Sequence, residues 1–190
     1  MKKTLVTGGA GFIGSNYVHH IYNKYKDRDI YVLDKLTYAG NLDNLTELSN
    51  KPRFHFIHGD ISDTHFIADL FAKEKFDTVV NFAAETHVDR SIVEPSIFVM
   101  TNIVGTHNLL ESAKATGVRR YHQISTDEVY GDLGDGSTNY FTEETPIDPN
   151  CPYAASKAAA DLLVLSYVST YGFYATISRC SNNYGPYQFP

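Results

Sequence analysis

The sequence predicts an α/β fold built on a doubly wound parallel sheet, and three observations carry that prediction. Apolar, β-branched runs of strand length alternate with helical patterns along the whole chain. The first such run, Thr4-Leu5-Val6-Thr7, leads through Gly8-Gly9-Ala10-Gly11-Phe12-Ile13-Gly14 into a helical pattern from Ser15 to Tyr25. The second, Ile30-Tyr31-Val32-Leu33, ends on an acid, Asp34, twenty residues after Gly14.

Strand, glycine turn and helix in that order make a dinucleotide site, so the domain is expected to be Rossmann-like. Gly8 permits the tight turn, Gly11 leaves no Cβ between backbone and pyrophosphate, and Gly14 lets the helix lie close on the sheet. The helix N-terminus presents unpaired N–H groups and the positive end of its dipole to the phosphates. A carboxylate at Asp34 accepts hydrogen bonds from the adenosine ribose hydroxyls and repels a 2′-phosphate, which favours NAD over NADP. Lys35 beside it is the one feature that would tolerate a phosphate.

The remaining elements follow in order. Lys35-Leu36-Thr37-Tyr38-Ala39-Gly40-Asn41 is polar and glycine-containing, a loop where the cofactor's adenosine would lie. Arg53 to His58 alternates as a third strand and ends at Gly59-Asp60. Asp60-Ile61 is placed to close over the adenine; equally, Asp60 suits a turn, and Ser62 or Asp63 a helix cap. Thr64 to Lys73 reads as a helix, and Thr78 to Ala84 as a fourth strand whose last residues, Ala83 and Ala84, leave room for a cofactor. The polar stretch Glu85-Thr86-His87-Val88-Asp89-Arg90-Ser91 reads as a loop at the carboxyl end of a central strand, where open α/β sheets bind ligands. Pro95 to Ala115 reads as one long helix with a wide apolar stripe, Tyr121 to Ser125 as a fifth strand, Pro152 to Tyr171 as a helix and Tyr174 to Arg179 as a sixth strand. The two wide apolar helices suggest pairing across a homodimer.

Bulk properties narrow the function. The 190 residues suffice for one sizeable domain with a real core. A hydrophobic fraction of 43% and a mean hydropathy of −0.27 suit a globular protein, and no apolar run approaches the ~20 residues of a membrane span. Net charge is −6, so no basic footprint for nucleic acid or anionic membrane is present. Cys151 and Cys180 form no metal or redox spacing; no metal is expected, and with two lysines leading straight into the first strand a reducing cytoplasm is the expected compartment.

Two groups carry chemistry. Tyr153 and Lys157 lie one helical turn apart on the same face. A free phenol, with pKa ~10, is too weakly acidic to act as a base at neutral pH, and a nearby ammonium stabilises the phenolate. Such a tyrosine takes the proton of an alcohol while hydride leaves for a nicotinamide. At the end of the fifth strand, Ser125-Thr126-Asp127-Glu128 offers a hydroxyl for the same alcohol and two carboxyl groups able to divide acid and base roles.

The glycine turn, Tyr153-x-x-x-Lys157 and the Ser125-Thr126 strand end together resemble the extended short-chain dehydrogenase/reductase superfamily. Leu36 to Asn41, Ala83 to Ser91, Ser125 to Gly131 and the run Arg179-Cys180-Ser181-Asn182-Asn183-Tyr184-Gly185-Pro186 narrow the resemblance to the dTDP-glucose 4,6-dehydratases. That resemblance implies a lyase that oxidises the sugar at C4, eliminates water across C5 and C6 and returns hydride to C6, as in deoxysugar biosynthesis. By motif, Tyr153 resembles the base for C4 oxidation and Lys157 its electrostatic partner and ribose ligand. Glu128 resembles the base that removes the C5 proton, and Asp127 the acid that protonates the departing C6 hydroxyl. Thr86, Thr126 and Asn182 match substrate contacts, Thr86 standing where serine is common. Phe12, Ile13, Asp34, Lys35, Leu36, Thr37, Asp60, Ile61, Ala83, Ala84, Glu85, Thr101 and Asn183 match NAD contacts, beside Gly8, Gly11, Gly14, Tyr153 and Lys157.

The resemblance further implies that residues 1–190 form the NAD-binding half with the catalytic residues, and that a carboxyl-terminal region absent from this chain holds the nucleotide. Two other readings stand beside it: a nucleotide-sugar 4-epimerase or decarboxylase of the same superfamily, and a non-catalytic NAD-binding module. The acid pair Asp127-Glu128 separates the dehydratase from the epimerases.

Overall fold

The computed structural model describes residues 1–134 and 138–188. Six parallel strands form one sheet: β1 (Lys2–Thr7), β2 (Arg28–Asp34), β3 (Phe54–His58), β4 (Thr78–Asn81), β5 (Arg120–Thr126) and β6 (Ala175–Cys180), in the order β3-β2-β1-β4-β5-β6. Strand order reverses between β1 and β4, and that switch point opens a crevice at the carboxyl ends of the strands. Helices α1 (Phe12–Lys24), α2 (Thr64–Glu74), α5 (Thr106–Thr116) and α6 (Pro152–Tyr171) supply the crossovers.

Two apolar layers hold the sheet. On one face Leu5, Leu33, Val79 and Tyr121 pack with Ile67 and Phe71 of α2, Leu109 and Leu110 of α5 and Val164 of α6. On the other, Val6, Ile30 and Val32 meet Val18 and Ile21 of α1 and Leu45 and Leu48 of a short 3-10 helix, Leu42–Leu48. Removing a leucine side chain from such a layer typically costs ~2–5 kcal/mol. A buried polar strip crosses the central strands. Thr7 donates to Asn81, whose amide donates to the Gln123 side-chain oxygen at 3.0 Å and to Thr106, while the Tyr121 hydroxyl also donates to Gln123. Since each buried polar group must find a partner, this strip fixes the register of β1, β4 and β5 at the switch point.

Several boundaries differ from the sequence reading. The first helix begins at Phe12, inside the glycine motif, because Gly11 already has extended geometry and serves as its N-cap. The fourth strand ends at Asn81, so Ala83 and Ala84 leave the sheet rather than extend it. The stretch Glu85 to Ser91, which reads as loop, enters a short helix, α3 (Val88–Val93). The long helix expected from Pro95 to Ala115 is three pieces: α4 (Pro95–Phe98), a π-helical segment (Val99–Gly105) and α5. A π turn preserves the apolar stripe but inserts a residue per turn, which a 3.6-residue pattern does not reveal.

Candidate active site

The glycine turn is built as its composition demands. Gly8 has φ +65, and a Cβ there would lie 2.6 Å from the Ala83 nitrogen. A Cβ on Gly14 would sit on the Gly8 carbonyl oxygen, so the close approach is helix to turn rather than helix to sheet. A Cβ on Gly11 meets nothing nearer than 3.4 Å. Gly11 lines the cleft together with Phe12, Ile13 and Gly14. No side chain caps α1, which leaves its first N–H groups free for an anion.

Asp34 closes this half of the site. Its Oδ2 accepts the Ala10 N–H at 2.9 Å and its Oδ1 the Leu36 N–H at 2.8 Å. These bonds fix the carboxylate and pin Leu36 in a left-handed conformation, φ 55, sparsely populated for a leucine. Gly40 packs so close that a Cβ there would lie 2.6 Å from Asp34 Oδ1. Lys35 turns away from Asp34 and pairs with Asp60, Nζ to Oδ2 2.6 Å. Asp60 also accepts the Ser62 N–H, and Asp63 caps α2 through the Phe66 N–H, so the turn and the cap are both real contacts of that segment. Burial pushes the Asp60 carboxyl up, but the Lys35 and Ser62 bonds outweigh it and hold the group below its usual range. A narrow pocket collects Gly8, Gly11, Asp34, Lys35, Thr37, Asp60, Ile61, Ala83, Ala84, Glu85 and Thr101. Leu36 does not line it and instead packs on the apolar layer beneath.

A second cleft of about 380 Å³ adjoins the first through Gly11, Ala39, Phe82 and Ala84. Phe12, Ile13, Gly14, Thr86, Ser125, Thr126, Glu128, Tyr153, Lys157, Asn182 and Asn183 line it. Tyr153 and Lys157 come from α6, which starts with Pro152 behind a Cys151 cap and ends on Gly172 in the left-handed region. Thr126 and Glu128 come from the end of β5 and a 3-10 turn, Asp127–Tyr130, whose start Thr126 caps by accepting the Glu128 N–H at 3.3 Å. Asp127 is turned otherwise: it lines a neighbouring cleft with Tyr130 and Arg179, and touches Thr126 through Oδ1 at 3.3 Å.

The electrostatics differ from the simple expectation for the pair on α6. The Lys157 ammonium donates to the Ile124 carbonyl at 2.6 Å, not to the phenol. Burial lowers its pKa to about 8, against the pull of Asp161. Burial and the Glu128 charge push the Tyr153 phenol up to about 12, with the Thr126 hydroxyl pulling the other way. Burial, then Asp127, raise the Glu128 carboxyl above its ordinary range.

Sequence reasoning does not find Asn102. In the π-helical segment its side chain accepts the Glu85 N–H at 2.8 Å and donates to the Glu85 carbonyl and the Ser156 hydroxyl. It ties the loop after β4 to α6, and its one signal is a polar residue inside an apolar helical run.

With the geometry in place, the chain matches the profile of the GDP-mannose 4,6 dehydratase family over residues 5–190. The chain belongs to that family. Among its relatives, the dTDP-glucose 4,6-dehydratase of Neisseria meningitidis serogroup B is 52% identical over 199 residues, an alignment covering 100% of this chain and 56% of that protein. The crystal structure of dTDP-glucose 4,6-dehydratase from Bacillus anthracis in complex with NAD superposes with a TM-score of 0.88 at 45% identity, covering 100% of this chain and 58% of that one. The UDP-Glc/GlcNAc 4-epimerase of Campylobacter jejuni is more distant: TM-score 0.84 and 33% identity, over 94% of this chain and 53% of the other. The chain thus spans somewhat over half the length of the relatives it matches. Among the described residues no helix is long and apolar enough to cross a membrane, and no cluster of three or more metal-ligating side chains occurs.

Proposed function

We propose that the complete protein is an NAD-dependent dTDP-glucose 4,6-dehydratase, a cytoplasmic homodimer in which residues 1–190 form the NAD-binding half and carry the catalytic residues. One observation supports this reading above the others: Thr126, Glu128, Tyr153 and Lys157 share a single cleft that runs continuously into the glycine turn. The residues fit NAD by their own geometry, since Gly11 is open on the cleft side, α1 is uncapped and Asp34 is fixed at the end of β2. Gly8 to Gly14 would hold the diphosphate and Asp34 the ribose, with Thr37, Asp60, Ile61 and Thr101 around the adenosine. Bound NAD supplies the hydride acceptor for C4 and the donor for C6.

The chain's own groups supply the rest. Thr126 holds the C4 hydroxyl and Tyr153 takes its proton, with Lys157 bearing the balancing charge. The ketone so formed at C4 acidifies C5, and Glu128 takes that proton, its raised pKa bringing it closer to the task than an ordinary carboxylate. Asp127 delivers a proton to the C6 hydroxyl, which leaves as water; for this it must rotate from its present cleft. Thr86 and Asn182 hold the sugar. The acid pair favours this chemistry over 4-epimerisation, which needs no base for C5. Exposed apolar residues on the π-helical segment and α6, Val99 and Met100 with Leu162 and Leu165, support the dimer.

Tyr153→Phe tests the assignment. The complete variant protein is expected to fold and still bind NAD, and to lose at least ~100-fold in turnover of dTDP-glucose. Retention of wild-type turnover would remove Tyr153 from the chemistry.

A further inference from the structure

Behind the cleft lies a charged group that the proposed chemistry does not use. Asp161, one turn of α6 beyond Lys157, is fully buried. Its Oδ2 accepts the Ser125 hydroxyl at 3.0 Å and the Arg179 Nε at 2.8 Å, while its buried Oδ1 has no hydrogen-bond partner. Arg179, paired with Ser125 in the β5–β6 register, also donates to the Tyr130 hydroxyl at 2.7 Å. The ion pair therefore joins α6, the end of β5, β6 and the far end of the turn that carries Asp127 and Glu128. A buried ion pair is seldom retained for stability alone, because desolvating both charges offsets most of their attraction.

We propose that Asp161 is a positioning residue of the active site: its carboxylate clamps the Ser125 strand end against α6 and keeps the neighbouring Lys157 side chain charged inside the protein. This rests on the reading that Tyr153 and Lys157 perform the alcohol oxidation. Residues facing Lys157 are Tyr153 and Asp161 from α6, Cys180 from β6 and, across the cleft, Glu128 from the turn after β5. Asp161 is the acid among them whose carboxylate is locked in place by a guanidinium and a hydroxyl; burial raises its carboxyl above the ordinary range, while Arg179, Ser125 and Lys157 pull it back toward the charged form that attracts the ammonium.

Replacing the carboxylate by an amide removes an attractive charge, so the ammonium loses its proton at lower pH. If turnover needs a charged Lys157, its alkaline limb moves the same way.

The test is the pH profile of dTDP-glucose turnover by the complete protein, with Asp161→Asn, Asp161→Glu and Tyr153→Phe compared. Asp161→Asn is expected to shift the alkaline limb down by at least about half a pH unit, and Asp161→Glu, which restores the charge, to return it toward the wild-type position. A merely structural role would lower activity equally at all pH values and leave the limb in place; that result overturns the proposal. Should Asp161→Asn fail to fold, Asp161→Ser, which removes the same charge with a smaller polar side chain and leaves Arg179 in place, carries the same expectation. Tyr153→Phe separates the two claims. If it abolishes turnover while Asp161→Asn leaves the limb unmoved, the Asp161 role alone is lost; if it retains turnover, the underlying reading fails and this proposal with it.

Discussion

Lys157 lies buried with its ammonium on the Ile124 carbonyl, and burial takes its pKa from 10.5 to about 8. The folded state therefore binds the proton less tightly than the unfolded chain, so keeping Lys157 charged at neutral pH costs on the order of 3 kcal/mol. For a base with a depressed folded pKa, that cost is present in full below about pH 8 and is relieved as pH rises toward 10.5. Lys157→Met, which fills similar volume without the charge, is accordingly expected to abolish turnover yet melt at or above the wild-type temperature at neutral pH; a clear loss of stability in thermal denaturation would show that the ammonium holds the fold together. Residues whose chemistry depends on local spacing are legible in the sequence alone. Gly8, Gly11 and Gly14 announce a turn against a helix, and the four-residue step from Tyr153 to Lys157 announces a shared face. Asp161, Arg179 and Asn102 are not legible in this way. Their partners come from other elements, Ser125 for Asp161, Tyr130 for Arg179 and Glu85 for Asn102, and no short window of sequence contains both ends of such a bond.

Elements with clear end signals match their sequence pattern nearly to the residue: α6 spans Pro152–Tyr171 as its proline start and glycine stop imply. The segment from Pro95 reads as uniform because its apolar stripe continues through the π turn, and what breaks the helix is packing. Gly105 lies against Ile61, where a Cβ would come within 2.5 Å of the isoleucine side chain, and Asn102 turns inward to Glu85. Thr101 thereby reaches the narrow pocket beside Asp34 while its neighbour anchors the loop. The width of the stripe is also a sound signal of surplus apolar surface. Val99 and Met100 of the π segment are about half exposed, and Leu162, Leu165, Val168 and Tyr171 project from the outer side of α6. Exposed apolar residues on adjacent elements mark an interaction surface. In the proposed dimer they meet their copies, so Leu162→Glu with Leu165→Glu is expected to yield monomer in sedimentation of the complete protein. A double variant that sediments as the wild type does would place the interface elsewhere.

For the molecule as a whole, strand alternation specifies the doubly wound sheet, and the switch point between β1 and β4 dictates where the cleft opens. What patterning does not reveal is how the cleft divides. Glu128 faces the same space as Tyr153, whereas Asp127, its neighbour in sequence, faces the adjoining one. A 3-10 turn splays consecutive side chains by about a third of a circle, so two adjacent acids need not share a pocket. In the proposed function the complete protein oxidises C4, removes the C5 proton and expels the C6 hydroxyl, once Asp127 turns in from the adjoining cleft, without consuming its cofactor. The most direct measurement is incubation of the complete protein with NAD and dTDP-glucose in deuterated water, followed by mass and proton spectra of the sugar. The expected outcome is a 4-keto-6-deoxy product that carries one solvent deuterium at C5, with no net formation of NADH. A C4 epimer free of solvent deuterium, or unchanged sugar in the presence of bound NAD, would contradict it.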